Sequence, residues 1–185
     1  MNKKDIEKAI DGAQNGIRKY LAIMDSITVD ISKDKAFQTK YNGFYRVRQR
    51  TPEWYENYFT LMQELKGNPH TFNDVLDELK NRTGRYEPSF SSKLVATINP
   101  NKPIWDIYIL KNTSHKPPSY SNNKKFDLAK ESYQSIERWY ESFIPSENGK
   151  LCIDVFNKKV KEHGKITDLK KIDFILWQTR KNDHK

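Results

Sequence analysis

From Lys3 to Met24 the apolar residues Ile6, Ala9, Ile10, Ala13, Ile17, Tyr20, Leu21 and Met24 recur three or four apart, with charged residues between them. That spacing predicts an amphipathic helix with one buried stripe. Gly12 and Gly16 lie inside it and either weaken it or let another helix approach closely. Between Asp25 and Asp34 the residues Ile27, Val29 and Ile31 alternate, but no other stretch reads as a partner strand, so an extended connector is expected. A second helix is predicted from Lys35 to about Arg48, through Phe37, Tyr41, Phe44, Tyr45 and Val47. Thr51-Pro52-Glu53 is a strong start signal: a hydroxyl N-cap, a proline at the first helical position and an acid in the first turn. The helix it opens carries Trp54, Tyr58, Leu61, Met62 and Leu65 and stops at Gly67-Asn68-Pro69. Thr71 and Asp74 repeat the signal for a helix from Phe72 to about Asn81, with Gly84 as its left-handed cap.

The most apolar stretch, Ser89 to Leu110, reads as a short helix, an Asn99-Pro-Asn-Lys-Pro103 connection and a second short helix opening at Asp106. A Pro- and Ser/Asn-rich loop follows from Lys111 to Lys125. Helical spacing returns from Phe126 to Phe143, and Pro145 with Glu147-Asn148-Gly149 is expected to break it. The last two helices are predicted over Leu151 to His163, closed by Gly164, and from Asp168 to about Arg180. All eight prolines fall at these boundaries, which makes the chain all-α: one multi-helix domain over residues 1–185 with a central helix-hairpin-helix-like unit. Its core is expected around residues 51–111, with the helices of 126–180 packing on it.

Composition adds a partner class. Aromatic residues at 12% supply enough buried area for a core, although charged residues reach 31% and mean hydropathy is −0.92. A net charge of +9 and a pI near 9.4 imply an anionic partner (nucleic acid, anionic lipid or an acidic protein), or else merely a lysine-rich solvated surface. The single cysteine, Cys152, excludes an internal disulfide and a cysteine-based zinc site, and its apolar neighbours make it a core residue. No histidine spacing suits a metal, and there is no phosphate-binding glycine loop, dinucleotide fingerprint or nucleophile elbow, so neither metal nor cofactor is expected. The charged N-terminus lacks a signal-like apolar run and no stretch is long enough to span a membrane, so a cytoplasmic protein without a membrane partner is expected.

Lys93 and Asp106, set inside the apolar stretch, are the candidate catalytic pair. A buried amine can act as a nucleophile and a carboxylate beside it can steady developing positive charge. The same residues also suit an ion pair and a helix cap. Arg46, Arg48 and Arg50 form a cationic cluster fit to fork onto phosphates, with Tyr41, Tyr45 and Tyr55 as candidate stacking partners for bases. Lys102, Lys111 and His115 are further candidate contacts to nucleic acid, His115 also as an acid or base. Lys158, Lys159, Lys161, Lys165, Lys170 and Lys171 read as a solvated helix face. Asp173, among apolar neighbours, needs a partner if buried, and an arginine or helix-start amides are expected.

Thr71 to Leu110 resembles the hairpin region of helix-hairpin-helix DNA glycosylases. A helix (Phe72 to Asn81), a turn (Arg82 to Pro88) and a lysine-bearing helix (Ser89 to Ile98) precede a Pro103-Ile-Trp-Asp106 step that opens another helix. In the oxoguanine-type members a lysine just after the hairpin is the nucleophile and an aspartate at the next helix start assists it. The resemblance places those roles on Lys93 and Asp106 and implies a protein that flips a DNA base and cleaves its glycosidic bond. Where the family carries Gly-x-Gly, this chain has Tyr86-Glu-Pro-Ser-Phe90. The alternatives are a non-catalytic nucleic-acid-binding module on the same scaffold, or a protein–protein adaptor.

Overall fold

The computed structural model describes residues 1–179, and the end of the last predicted helix at Arg180 lies outside them. The described residues are all-α, with nine α-helices, one 3₁₀ turn and no strand. They fall into two compact units: Asn15–Asn99, and Met1–Gln14 together with the chain from Pro100 onward. One boundary lies inside the first helix, α1 (Lys3–Met24), and the other at the Asn99-Pro100 step.

In the Asn15–Asn99 unit, α2 (Lys35–Tyr45), α3 (Pro52–Leu65), α4 (Phe72–Thr83) and α5 (Pro88–Ile98) follow the second half of α1. Their starts obey the local signals. Asp34 and Thr51 cap α2 and α3 with side-chain oxygens, Thr71 and Asp74 form a reciprocal capping box on α4, and Pro52 and Pro88 occupy first-turn positions. Gly84 closes α4 at φ 69°, where only glycine is unstrained. Tyr41, Tyr58, Phe37 and Phe59 are fully buried, with the Tyr41 and Tyr58 hydroxyls 2.7 Å apart. Burial pushes both of those phenols well above the ordinary tyrosine range.

Two expectations fail in this unit. Residues 25–34 form successive turns rather than an extended connector. The Lys66 ammonium gathers the carbonyls of Ile27 and Val29 at 3.0 and 2.6 Å, and the Asp34 amide returns to the Asp30 carbonyl. Helix α2 also ends at Tyr45 rather than near Arg48. Arg46 turns left-handed, the Val47 amide bonds back to the Asn42 carbonyl at 3.1 Å, and the buried Val47 side chain draws the chain inward.

In the other unit, α6 (Ile107–Asn112) and α8 (Glu147–Lys159) pack against α9 (Asp168–Gln178), and α7 (Lys125–Phe143) brings Tyr133 and Tyr140 into the core. A 3₁₀ turn, His163–Lys165, links α8 to α9. Gly12 of α1 does receive a neighbour: a Cβ there would lie 3.2 Å from Gln178 Oε1. The expected break at Glu147-Asn148-Gly149 is instead the first turn of α8, capped by the Ser146 hydroxyl on the Gly149 amide. Gly149 is needed there because a Cβ would come closer than 3.0 Å to the carbonyl oxygens of Phe143 and Ile144. The predicted Leu151 to His163 helix therefore begins earlier, and it ends at Lys159, where the buried Val160 leaves the helical conformation.

Candidate nucleic-acid interface

The turn from Arg46 to Arg50 sets its side chains in two directions. Arg46 and Gln49 adopt φ of 55° and 58°, a left-handed conformation that costs a non-glycine residue on the order of 1 kcal/mol or more. Val47 is buried between them, while Arg46, Arg48 and Gln49 stay exposed. Arg50 turns inward. Its guanidinium pairs with Glu87 at 2.9 Å and lies 4.9 Å from the Phe90 ring centre and 5.6 Å from that of Trp54. Two of the three expected phosphate ligands thus face solvent, and the third is an internal ion pair sandwiched by aromatic faces.

The tyrosines expected to stack on bases divide as well. Tyr41 and Tyr45 are core residues, because their rings close the packing of α2 on α3 and α5. Tyr55 is half-buried and its hydroxyl donates to the Val47 carbonyl at 3.1 Å, which pins the turn.

Lys93 sits on α5 with its ammonium 3.2 Å from the Tyr45 carbonyl and 5.2 Å from the centre of the Phe90 ring. Asp106 is the N-cap of α6, its carboxylate accepting from the Tyr108 amide at 2.9 Å. The first belongs to the Asn15–Asn99 unit and the second does not. In the turn between α4 and α5 the Glu87 carboxylate is buried and is drawn to Arg85 at 3.3 Å as well as to Arg50. A carboxylate so placed opposes a phosphate at that turn, where the resembling family presents backbone amides.

Of the remaining candidates, Lys102 donates to Glu137 at 2.7 Å. It lines a hollow of about 550 Å³ with Glu137, Glu141 and Asp168, an acidic rim unsuited to phosphate. Lys111 is exposed in the last turn of α6. His115 has Nδ1 2.9 Å from Thr113 Oγ1, and burial lowers its pKa, opposed by a hydrogen bond from the ring to the Thr113 backbone. Lys111, Lys116, Lys124 and Lys125 lie in a segment without a single acid. Tyr120 of that segment is 70% exposed, the most open of the large hydrophobic side chains described.

Sequence reasoning missed one polar cluster. Lys170 and Asp173, one turn apart on α9, are 2% and 3% exposed and 2.6 Å apart, and the Tyr140 hydroxyl donates to the other carboxylate oxygen at 2.5 Å. Lys170 and Lys171 are therefore buried rather than part of a solvated face, and the partners of Asp173 are a lysine and a tyrosine rather than an arginine or amides. The signal was available as a Lys-x-x-Asp spacing inside an apolar run. Burial outweighs the lysine and raises the Asp173 pKa, while Tyr140 is pushed well up by its own burial and by the nearby carboxylate.

Among the described residues no group of three or more His, Cys, Asp or Glu side chains could hold a metal ion, and no helix is long and apolar enough to cross a membrane. No protein-family model, no curated protein and no solved structure matches the chain.

Proposed function

We propose that this protein is a nucleic-acid-binding module, with DNA as the first partner to test, and that the Arg46–Arg50 turn contacts the phosphate backbone. The observation that carries the reading is the conformation of that turn. Two non-glycine residues are held left-handed so that two guanidinium groups stand out from a backbone anchored by Val47 and Tyr55. Arg46 takes the left-handed conformation as the C-cap of α2 and Val47 is buried, so the capping and packing that fix the backbone leave the Arg46 and Arg48 side chains directed to solvent. The acid-free segment from Lys111 to Lys125, with Tyr120 exposed, supports the same reading as a basic surface with an aromatic face.

The test is equilibrium binding of labelled single- and double-stranded oligonucleotides across a salt series. Each of Arg46→Ala and Arg48→Ala should weaken binding for every sequence and lower the slope of log K against log salt by about 1. Unchanged affinity and slope in the double variant would overturn the assignment of this turn.

A second reading is base excision, favoured by the order in which Pro88 opens the helix bearing Lys93 and Asp106 caps the next one. In that chemistry the neutral Lys93 amine would displace the base at the sugar carbon, forming a carbon–nitrogen bond as the glycosidic bond breaks. The base departs with the electron pair and takes up a proton, the amine gives one up, and opening of the sugar ring at its ring oxygen leaves an imine. Borohydride should then trap a covalent adduct on lesion-bearing duplex that is absent in Lys93→Ala. Binding without an adduct selects the non-catalytic module.

A further inference from the structure

Near the Arg46–Arg50 turn, within the Asn15–Asn99 unit, α2, α3 and the turn at Ser32 border an open surface hollow of about 620 Å³. That volume lies within the ~300–1,000 Å³ range of small-molecule sites. Tyr55 lines it and through its hydroxyl ties it to the turn at Val47. We infer that this hollow seats an unpaired guanine base. The inference deepens the nucleic-acid reading, and rests on it only for where the base comes from.

Gln38 is spent: its amide donates to the Ile31 and Ser32 carbonyls at 2.9 and 3.0 Å, and its oxygen accepts from Lys35 at 3.0 Å. Lys35 keeps two ammonium protons for an acceptor. Asn42 Oδ1 is buried without a hydrogen-bond partner, an acceptor whose desolvation nothing in the protein offsets. The Glu56 carboxylate is exposed at the rim. The lining therefore offers the Glu56 carboxylate and Asn42 Oδ1 as acceptors and the Lys35 ammonium and Asn42 amide as donors. The Ser32 and Thr39 hydroxyls already donate within the protein, and the half-buried ring of Tyr55 supplies an apolar face.

Guanine is complementary to that set. Its N1–H and N2–H donors are adjacent and can meet one carboxylate in a two-bond fork, while O6 and N7 accept from an ammonium. Adenine and cytosine would each set a ring-nitrogen lone pair against the carboxylate beside their amino group. Uracil and thymine offer a single N–H flanked by two carbonyl oxygens. Only guanine meets Glu56 without facing it with a lone pair.

The base could belong to a free nucleotide or to a strand, and the test separates the two. Calorimetric titration is run with GMP, with AMP, with a thymidine oligomer and with the same oligomer carrying one central guanosine, on the wild type and on Glu56→Gln and Tyr55→Leu. Glu56 is exposed, so its amide variant keeps the fold. Expected are a preference for GMP over AMP and for the guanosine oligomer of about tenfold or more, lost in Glu56→Gln, and weaker binding of every ligand in Tyr55→Leu. Preference for GMP without salt-dependent oligomer binding would support the guanine seat and overturn the nucleic-acid reading. Salt-dependent oligomer binding with no guanine preference, or a preference that survives Glu56→Gln, would overturn the guanine seat and leave the nucleic-acid reading standing. Binding of none of the four ligands would overturn both.

Discussion

Replacing Lys170 by methionine removes the cation from a carboxylate that has almost no access to water. The two charges lie 2.6 Å apart, and at an effective dielectric near 20 that separation corresponds to an attraction of about 6 kcal/mol. Desolvating both ions costs several kcal/mol each, so the intact pair adds little net stability. Its rupture is a different matter. With Lys170→Met the Asp173 carboxylate keeps the Tyr140 hydroxyl but loses its cation, and the expected loss at pH 7 is about 3–5 kcal/mol. Asp173→Asn alone should cost a similar amount by stranding the ammonium. The double variant removes both charges of the pair and still offers Tyr140 an acceptor, so it should recover at least ~2 kcal/mol of the Lys170→Met loss. The sign of the pH dependence follows from the direction of the Asp173 shift. Its folded pKa is raised above the ordinary 3.8 by burial, so its contribution to stability is full below that value and is lost as pH rises through the folded pKa. Lys170→Met raises that pKa further, and the penalty should accordingly shrink as the solution is acidified. Urea unfolding followed by tryptophan emission reads the effect, since Trp105, Trp139 and Trp177 all lie in the unit that contains the pair and only Trp54 does not. A Lys170→Met loss below about 1 kcal/mol, or single-variant losses that simply add in the double, would refute the reasoning.

Arg50 and Arg48 should separate cleanly in the same assay. Arg50→Ala breaks an ion pair with a buried carboxylate and two cation–aromatic contacts and should cost about 2–4 kcal/mol, whereas Arg48→Ala on the exposed turn should stay within ~0.5 kcal/mol. Equal costs would mean that Arg50 is not the internal residue described. Gly149→Ala must push the α8 start away from the Phe143 and Ile144 carbonyls, with an expected loss of about 1–3 kcal/mol by thermal or urea unfolding, and an unchanged midpoint would show that the close approach is not rigid.

Helix positions were legible wherever the cause was local. Thr51, Thr71 and Asp106 announce helix starts because a side-chain oxygen satisfies an amide a few residues on, and Gly84 announces an end because of its backbone conformation. The errors arose where a distant group decided. Gly149 reads as a breaker until the approach of the Phe143 carbonyl makes it a requirement, and Lys66 converts an alternating segment into turns from 37 residues away.

For the candidate site the division is the same. Composition and spacing fixed the sign of the charge, placed Arg46, Arg48 and Arg50 in one cluster and made the chain helical, since all three properties reside in the local polymer. Which arginine faces water, which tyrosine is core, and whether a lysine is solvated or held by a buried carboxylate depend on what other segments bring to them. Desolvation and ion pairing act through space, so a one-dimensional pattern of polar and apolar residues carries no record of them, and only the tertiary structure decides.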